Sequence, residues 1–145
     1  LPTEIVHLPV RQVIIWDRGS GFNCMAGAYM PVSEWIVLIA KPDWSLRDKS
    51  ASAIGDIWRF PPVADKEHPA SFPIKLPTNA LQTSGAVSVI DPFMGAGTTG
   101  VAAAQLRRRF IGIELTPKHF DTACRRIEAA LHAPKQASIF DGEAA

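Results

Sequence analysis

One segment constrains the fold more than any other, because residues 87–131 alternate between short apolar runs and helix-forming runs. The run Val87-Ser88-Val89-Ile90 has the length of a buried strand. It is followed by a glycine-rich turn, Gly95-Ala96-Gly97, and by an alanine-rich stretch from Thr98 to about Leu106 with high helix propensity. A second strand is predicted at residues 110–114, so this part of the chain reads strand, turn, helix, strand.

A second helix is predicted from Pro117 to about Leu131. The Thr116 hydroxyl is expected to cap its first N–H groups, and proline at the first helical position needs no hydrogen bond. The complete order predicts a βαβ unit with parallel strands, and thus an α/β fold with a mostly parallel sheet and flanking helices. The expected apolar face of this helix consists of Phe120, Ala123, Cys124, Ile127 and Leu131.

The first half of the chain has a different pattern of predicted secondary structure. Two β-rich runs, Val13–Trp16 and Trp35–Ile39, are expected to be neighbouring strands of one sheet. From Lys41 to about Pro77 the sequence keeps neither a helical nor a strand periodicity of apolar residues. We expect irregular surface structure there, with one short strand at Asp56-Ile57-Trp58.

The composition limits the class of protein. The 145 residues suffice for one domain, and 47% hydrophobic with 20% charged residues is typical of a globular chain. A net charge of +1 is too small to attract a polyanion globally, so nucleic-acid binding has to come from local clusters. Cys24 and Cys124 lack metal-ligand spacing, so we expect no metal site and a reducing, cytoplasmic location. The apolar runs are shorter than the roughly 20 residues that span a bilayer, which predicts no membrane association.

The glycine-rich turn predicts a ligand site, because glycines let the backbone approach a ligand and the next helix offers unpaired N–H groups. Gly95, Gly97 and Gly100 match G-x-G-x-x-G, so a dinucleotide on a Rossmann unit is one hypothesis. No lysine follows at the position that reaches a β- or γ-phosphate, which disfavours nucleoside triphosphates.

Two carboxylates favour a different ligand. Asp91, directly after the first strand, would repel a pyrophosphate but attract a cationic group. Glu114, at the end of the second strand, is placed to accept hydrogen bonds from both ribose hydroxyls. Together they favour a sulfonium-bearing adenosine compound. The plainer interpretation makes both carboxylates strand-end caps beside a tight turn.

These residues carry a resemblance to a known family. The segments Asp91-Pro92-Phe93-Met94-Gly95-Ala96-Gly97-Thr98-Thr99 and Phe110-Ile111-Gly112-Ile113-Glu114 resemble the S-adenosylmethionine-binding region of the amino-group DNA methyltransferases. These enzymes modify adenine N6 or cytosine N4. The resemblance extends upstream through Gly55–Trp58 and His68–Pro73, and so covers roughly residues 55–131. The runs Ile14–Trp16 and Glu34–Leu38 resemble later strands of the catalytic side more weakly.

The resemblance implies a partial Rossmann-like methyltransferase fold, S-adenosyl-L-methionine as cofactor and DNA as partner. It implies that the His68-to-Pro73 segment, with His68 and Phe72, closes over the methionine moiety. It implies that Glu114 holds the ribose and that Leu115 lies beside the adenine. The residues implied to line the methionine end are Asp91, Phe93, Gly95, Gly97 and Thr98.

The family's catalytic tetrapeptide is missing from these 145 residues. That motif is Asp, Ser or Asn followed by Pro-Pro and an aromatic residue, whereas the chain has only Phe60-Pro61-Pro62-Val63, interpreted as a rigid turn. In permuted members the motif precedes the cofactor turn, so we expect it upstream of Leu1. The sequence thus predicts no catalytic residue within the chain, which would be the C-terminal portion of a longer enzyme or a degenerate one.

The expected organisation is one partial methyltransferase domain over residues 1–145. Residues 1–40 would supply catalytic-side strands and residues 41–67 a target-recognition segment. Residues 68–132 would form the cofactor-binding half, with a tail at 133–145. The candidates for contacting DNA are Lys41, Arg47, Lys49 and Arg59.

The sequence is compatible with several alternative functions and partners. For the basic runs Arg107-Arg108-Arg109 and Arg125-Arg126, solvated surface is favoured over phosphate contact. The chain could bind S-adenosylmethionine or DNA without transferring a methyl group, and a dinucleotide-dependent oxidoreductase is a weaker rival. Adenine and cytosine targets are both compatible, and so is a homodimer.

Overall fold

The computed structural model describes residues 9–21, 29–47, 54–63 and 72–133. These residues form five strands and three helices, in two units that divide the chain into Leu1–Gly85 and Ala86–Ala145. The division falls inside residues 68–132, and the assignment of that whole segment to cofactor binding stays a prediction. None of the three described helices has the length and apolar character needed to cross a bilayer.

The first unit contains a three-stranded sheet. Strand β1 (Val10–Asp17) pairs antiparallel with β2 (Ser33–Ile39) and parallel with the short β3 (Ile57–Arg59), which gives the order β2-β1-β3. The pairing of β1 with β2 confirms that the two β-rich runs are neighbouring strands. The short strand expected at residues 56–58 is also present, one residue further along.

One face of this sheet carries the core of the first unit. Trp16 of β1 and Trp58 of β3 are directly paired, and both are buried against Leu76. The Trp16 Nε1–H donates to the Phe60 carbonyl at 2.8 Å, and the Trp58 Nε1–H donates to the Gly55 carbonyl at 3.1 Å. Because each indole N–H has an acceptor, the two large rings are buried without an unpaired polar atom.

Helix α1 (Lys75–Ser84) was not expected, and the prediction of irregular structure up to Pro77 is wrong there. Its buried side chains are Leu76, Leu81 and Thr83, and the two leucines, five residues apart, do not fall on one face of a helix. Pro77 is the third residue of the helix, where its missing N–H would have no intrahelical acceptor. The helix ends at Gly85, which adopts the left-handed conformation with φ +64°.

The second unit contains the predicted βαβ arrangement and one further helix. Strand β4 (Ser88–Asp91), helix α2 (Thr98–Gln105), strand β5 (Arg109–Gly112) and helix α3 (Pro117–His132) follow one another. The two strands are parallel and in register from Ser88 opposite Arg109 to Asp91 opposite Gly112. Their carboxyl ends therefore lie at the same edge.

Small residues let helices α2 and α3 approach each other closely. Ala102, Ala103 and Ala123 have no exposed surface. A Cβ placed on Gly100 of α2 would collide with the Ile127 side chain and would lie 2.7 Å from Phe110 Cε1. The packing of α3 on α2 thus depends on the absence of a side chain at Gly100.

One local expectation for α3 is wrong, and another is confirmed in part. The helix begins after Thr116 with Pro117 in its first turn, but the Thr116 hydroxyl makes no capping hydrogen bond. The expected apolar face is only partly covered, since Phe120 is 43% exposed and Leu131 is 45% exposed. The helix is anchored through Ala123 and Ile127, which contact the glycine-rich turn and α2.

Replacing Gly100 by alanine tests this packing. We expect Gly100→Ala to lower the free energy of unfolding by about 1–3 kcal/mol, because the added methyl group overpacks the contact with Ile127 and Phe110. Urea denaturation measures the change. Gln105→Ala, at an exposed position of the same helix, is the control and should shift the value by less than about 0.5 kcal/mol. Equal stabilities of the two variants would contradict the packing described here.

Candidate functional site

The glycine-rich turn connects the end of β4 to the first turn of α2. The Met94 N–H donates to the Ile113 carbonyl at 3.0 Å, and the Gly97 N–H donates to the Met94 carbonyl at 2.8 Å. Gly97 precedes α2 with φ +79°, and a Cβ at this position would lie 2.8 Å from the Ala123 Cβ. Only glycine fits both the backbone conformation and the space.

Glu114 holds the turn against the segment that follows β5. Its Oε2 accepts a hydrogen bond from the Gly95 N–H at 3.0 Å, and its Oε1 accepts one from the Thr116 N–H at 2.8 Å. The Thr116 N–H, helped by that of Gly95 and opposed by desolvation, lowers the pKa of Glu114 below its ordinary value of 4.5. The side chain is therefore a carboxylate at neutral pH.

Asp91 is the last residue of β4 and lies at the same edge of the sheet. Its Oδ1 accepts a hydrogen bond from the Phe93 N–H at 3.1 Å, and its carbonyl accepts one from the Ile113 N–H at 2.9 Å. Both carboxylates thus make the local contacts expected if they only cap the strand ends. A carboxylate oxygen has two lone pairs, so these contacts leave room for further donors from a ligand.

The second unit brings seven of the predicted cofactor residues to one turn and the adjoining strand ends. The apolar side chains of Phe93 and Leu115 are 88% and 95% exposed. Thr98 is buried as the first residue of α2. Glu114 lies two residues beyond the last residue of β5, so the observed strand ends earlier than the strand predicted from the sequence. The seven residues are Asp91, Phe93, Gly95, Gly97, Thr98, Glu114 and Leu115.

The described residues of the second unit do not include the other two predicted cofactor residues. His68 lies outside the described residues. Phe72 belongs to the first unit, where it lines a cavity of about 270 Å³ together with Trp16, Trp35 and Trp58. The involvement of His68 and Phe72 in cofactor binding stays a prediction.

The candidate DNA contacts lie in the first unit. Lys41, Arg47 and Arg59 are exposed, and Lys49 lies outside the described residues. The Arg59 Nε forms an ion pair with Asp17 Oδ2 at 3.5 Å. Their role in binding DNA stays a prediction, whereas Trp58 of the same segment is a core residue.

Arg126 is a residue of the site to which the sequence assigned no such role. Its Nη1 donates to the Ala96 carbonyl at 2.7 Å, so a side chain of α3 contacts the glycine-rich turn directly. Solvated surface was favoured for Arg126, and this expectation is wrong. Its position directly before Ile127, on the face of α3 that meets the turn, is the signal that could have indicated the contact.

Comparison with known proteins gives the family. The model of the N6/N4 DNA methylase family matches residues 3–125. The type II methyltransferase M2.MboI of Moraxella bovis is 31% identical over 139 residues, which cover 83% of this chain and 50% of that protein. The type II methyltransferase M.BglI of Bacillus subtilis is 37% identical over 93 residues, which cover 62% of this chain and 25% of that protein. The chain belongs to the N6/N4 DNA methylase family, as the sequence resemblance predicted.

Solved structures confirm the Rossmann-like methyltransferase fold. The crystal structure of the M1.HpyAVI–SAM complex matches with a TM-score of 0.65 and 26% identity, over 85% of this chain and 64% of that chain. The cytosine-N4-specific PvuII DNA methyltransferase matches with a TM-score of 0.71 and 19% identity, over 93% of this chain and 55% of that chain. The chain spans half or less of the length of the two curated relatives.

The Glu114 contacts predict a pH dependence of stability. A group whose pKa is lowered on folding stabilises the protein above its unfolded pKa, and this contribution is lost as the pH falls through the folded value. We expect Glu114→Gln to be less stable than the wild type at pH 7, and the difference to shrink below about pH 4.5.

Urea midpoints between pH 7 and pH 3 measure this difference. Glu128→Gln removes an exposed carboxylate from α3 and is the control. A stability difference for Glu114→Gln that is constant over the whole range would mean that the carboxylate does not hold the turn.

Proposed function

We propose that this chain forms the cofactor-binding part of an S-adenosylmethionine-dependent DNA methyltransferase. The proposed reaction transfers a methyl group to the exocyclic amino group of adenine (N6) or cytosine (N4) in DNA. The observation that carries the proposal is the glycine-rich turn between two carboxylates. Glu114 accepts the Gly95 N–H, and Asp91 ends the neighbouring parallel strand.

The charge of Asp91 favours S-adenosylmethionine over a phosphate compound. Its carboxylate beside the turn repels a pyrophosphate, whereas it attracts a sulfonium and an ammonium group. The remaining lone pairs of Glu114 suit the two ribose hydroxyls. The exposed side chain of Leu115 offers an apolar surface for the adenine, and that of Phe93 offers one near the methionine end. The M1.HpyAVI structure, which was solved as a complex with SAM, supports this choice.

The proposed reaction requires little acid or base catalysis by the residues of this chain. S-adenosylmethionine, when bound, supplies a methyl group that is activated by its sulfonium. The turn, Asp91 and Glu114 would orient the cofactor for in-line attack by the amino nitrogen. The target base would have to leave the duplex to reach it. The residues of this chain therefore bind and align, and the groups that receive the target amino group are proposed to belong to the family's Pro-Pro tetrapeptide.

The proposal extends to the first unit and to the setting of the protein. Lys41, Arg47, Lys49 and Arg59 are proposed to contact DNA phosphates, and His68 and Phe72 to cover the methionine moiety. We further propose a cytoplasmic location and a restriction-modification context, as the type II names of the relatives suggest. Homodimer formation is compatible with the proposal, and sedimentation would test it.

A dinucleotide is the second candidate ligand, because the three glycines match the spacing G-x-G-x-x-G. In that arrangement the pyrophosphate would lie on the turn, next to Asp91. The repulsion between these groups makes the oxidoreductase hypothesis the weaker one.

Equilibrium titration with S-adenosylmethionine and, separately, with NAD tests the proposal. We expect the wild type to bind S-adenosylmethionine and to show no binding of NAD at the same concentrations. Asp91→Asn and Glu114→Gln should each weaken S-adenosylmethionine binding by about tenfold or more, because each removes a charged acceptor. Binding is measured by calorimetry.

Matched controls separate the site from the overall charge. Asp121→Asn and Glu128→Gln remove the same charges from exposed positions of α3, and their dissociation constants should stay within about twofold of the wild type. Wild-type binding of NAD in preference to S-adenosylmethionine would overturn the proposed function.

Methyl transfer is the second test. We expect the 145-residue chain alone to incorporate little or no labelled methyl group into DNA, because its sequence lacks the tetrapeptide that receives the target amino group. The measurement is the transfer of label from S-adenosylmethionine to duplex DNA. Robust incorporation would show that the missing motif is dispensable. It would contradict the proposal that this chain binds the cofactor while the tetrapeptide receives the target amino group.

A further inference from the structure

A contact from outside the βαβ unit reaches the glycine-rich turn. Arg126 lies on α3, thirty residues after Ala96, and its Nη1 donates to the Ala96 carbonyl at 2.7 Å. Ala96 is 7% exposed, so this carbonyl has little access to water. A buried carbonyl without a donor is unfavourable, and the guanidinium supplies a charged donor for it.

The peptide between Ala96 and Gly97 is held at both ends. Its carbonyl accepts from Arg126, and its N–H, on Gly97, donates to the Met94 carbonyl at 2.8 Å. A planar trans peptide has its carbonyl and N–H pointing in opposite directions, so the two contacts together fix the orientation of the peptide plane. The left-handed backbone at Gly97 depends on this orientation.

The same part of α3 packs against the turn. The Cβ of Ala123, one helical turn before Arg126, lies 2.8 Å from the position that a Cβ of Gly97 would take, and Ile127 borders Gly97 and Gly100. The apolar side chains thus set the distance between α3 and the turn, and Arg126 sets the orientation of one peptide within it. Glu114 holds the Met94–Gly95 peptide of the same turn through the Gly95 N–H.

We propose that Arg126 is a positioning residue for the cofactor. It keeps the Ala96–Gly97 peptide in the orientation that shapes the turn for S-adenosylmethionine, without contacting the cofactor itself. This inference rests on the proposed function. Without the guanidinium, the Ala96 carbonyl would turn toward another donor, and the turn would have to be reordered when the ligand binds. The affinity for the cofactor falls by the cost of that reordering.

Four variants test the inference by titration with S-adenosylmethionine, each at a temperature well below its own unfolding midpoint. Arg126→Met keeps much of the apolar stem and removes every donor, and we expect it to bind about tenfold more weakly. Arg126→Lys keeps a charged donor group on a flexible stem, and we expect a loss of about threefold. The partial rescue by lysine distinguishes positioning of the carbonyl from simple packing.

The neighbouring residue provides matched controls. Arg125 is exposed on the same helix, and its Nη2 donates to the Thr122 hydroxyl at 3.3 Å. Arg125→Met and Arg125→Lys make the same changes in charge and size, and both should bind with the wild-type constant within about twofold. If Arg126→Met does not fold, the pair Arg126→Lys and Arg125→Lys decides the question.

The outcomes separate the inference from the proposed function. If the wild type does not bind S-adenosylmethionine, the proposed function fails, and the inference fails with it. If the wild type binds and the Arg126 variants bind as tightly as their Arg125 counterparts, only the inference is overturned. A loss of affinity at Arg126 alone, with partial recovery in Arg126→Lys, supports it.

Discussion

Two backbone N–H groups, those of Gly95 and Thr116, converge on the carboxylate of Glu114. The first belongs to the glycine-rich turn after β4, and the second to the start of α3, so one side chain joins two loops at the same edge of the sheet. Charged acceptors make strong hydrogen bonds, and the lowered pKa keeps the acceptor charged at neutral pH. The geometry of the proposed cofactor site depends on this junction, because it places Asp91, the turn and the Glu114 carboxylate together.

Close packing makes the junction possible. The turn can approach α3 because Gly97 has no side chain and Ala123 has a small one, and α2 can approach α3 because of Gly100. Arg126 then supplies a donor to a carbonyl of the turn that packing would otherwise leave buried. The small residues are therefore part of the site although none of them offers a functional group. In the first unit, paired tryptophans fill the core.

Much of the second unit could be predicted from the sequence, since an apolar run, a glycine-rich turn and an alanine-rich stretch each have one favoured structure. The family and the fold followed from the same residues. Helix α1 could not be predicted, because its two buried leucines are five residues apart and Pro77 lies in its first turn. The expected capping of α3 by the Thr116 hydroxyl is absent, and the Thr116 N–H bonds to Glu114. The contact of Arg126 with Ala96 is tertiary, and its one local sign is the position of Arg126 directly before Ile127.

We propose that the two carboxylates and the turn between them hold an adenosyl cofactor. The most direct test is to follow the backbone amide resonances of the ¹⁵N-labelled chain while S-adenosylmethionine is added. We expect the largest changes at Gly95, Gly97, Leu115 and Thr116, where the ligand would alter the turn and the N–H partners of Glu114. Saturable changes that leave these four amides unmoved would contradict it.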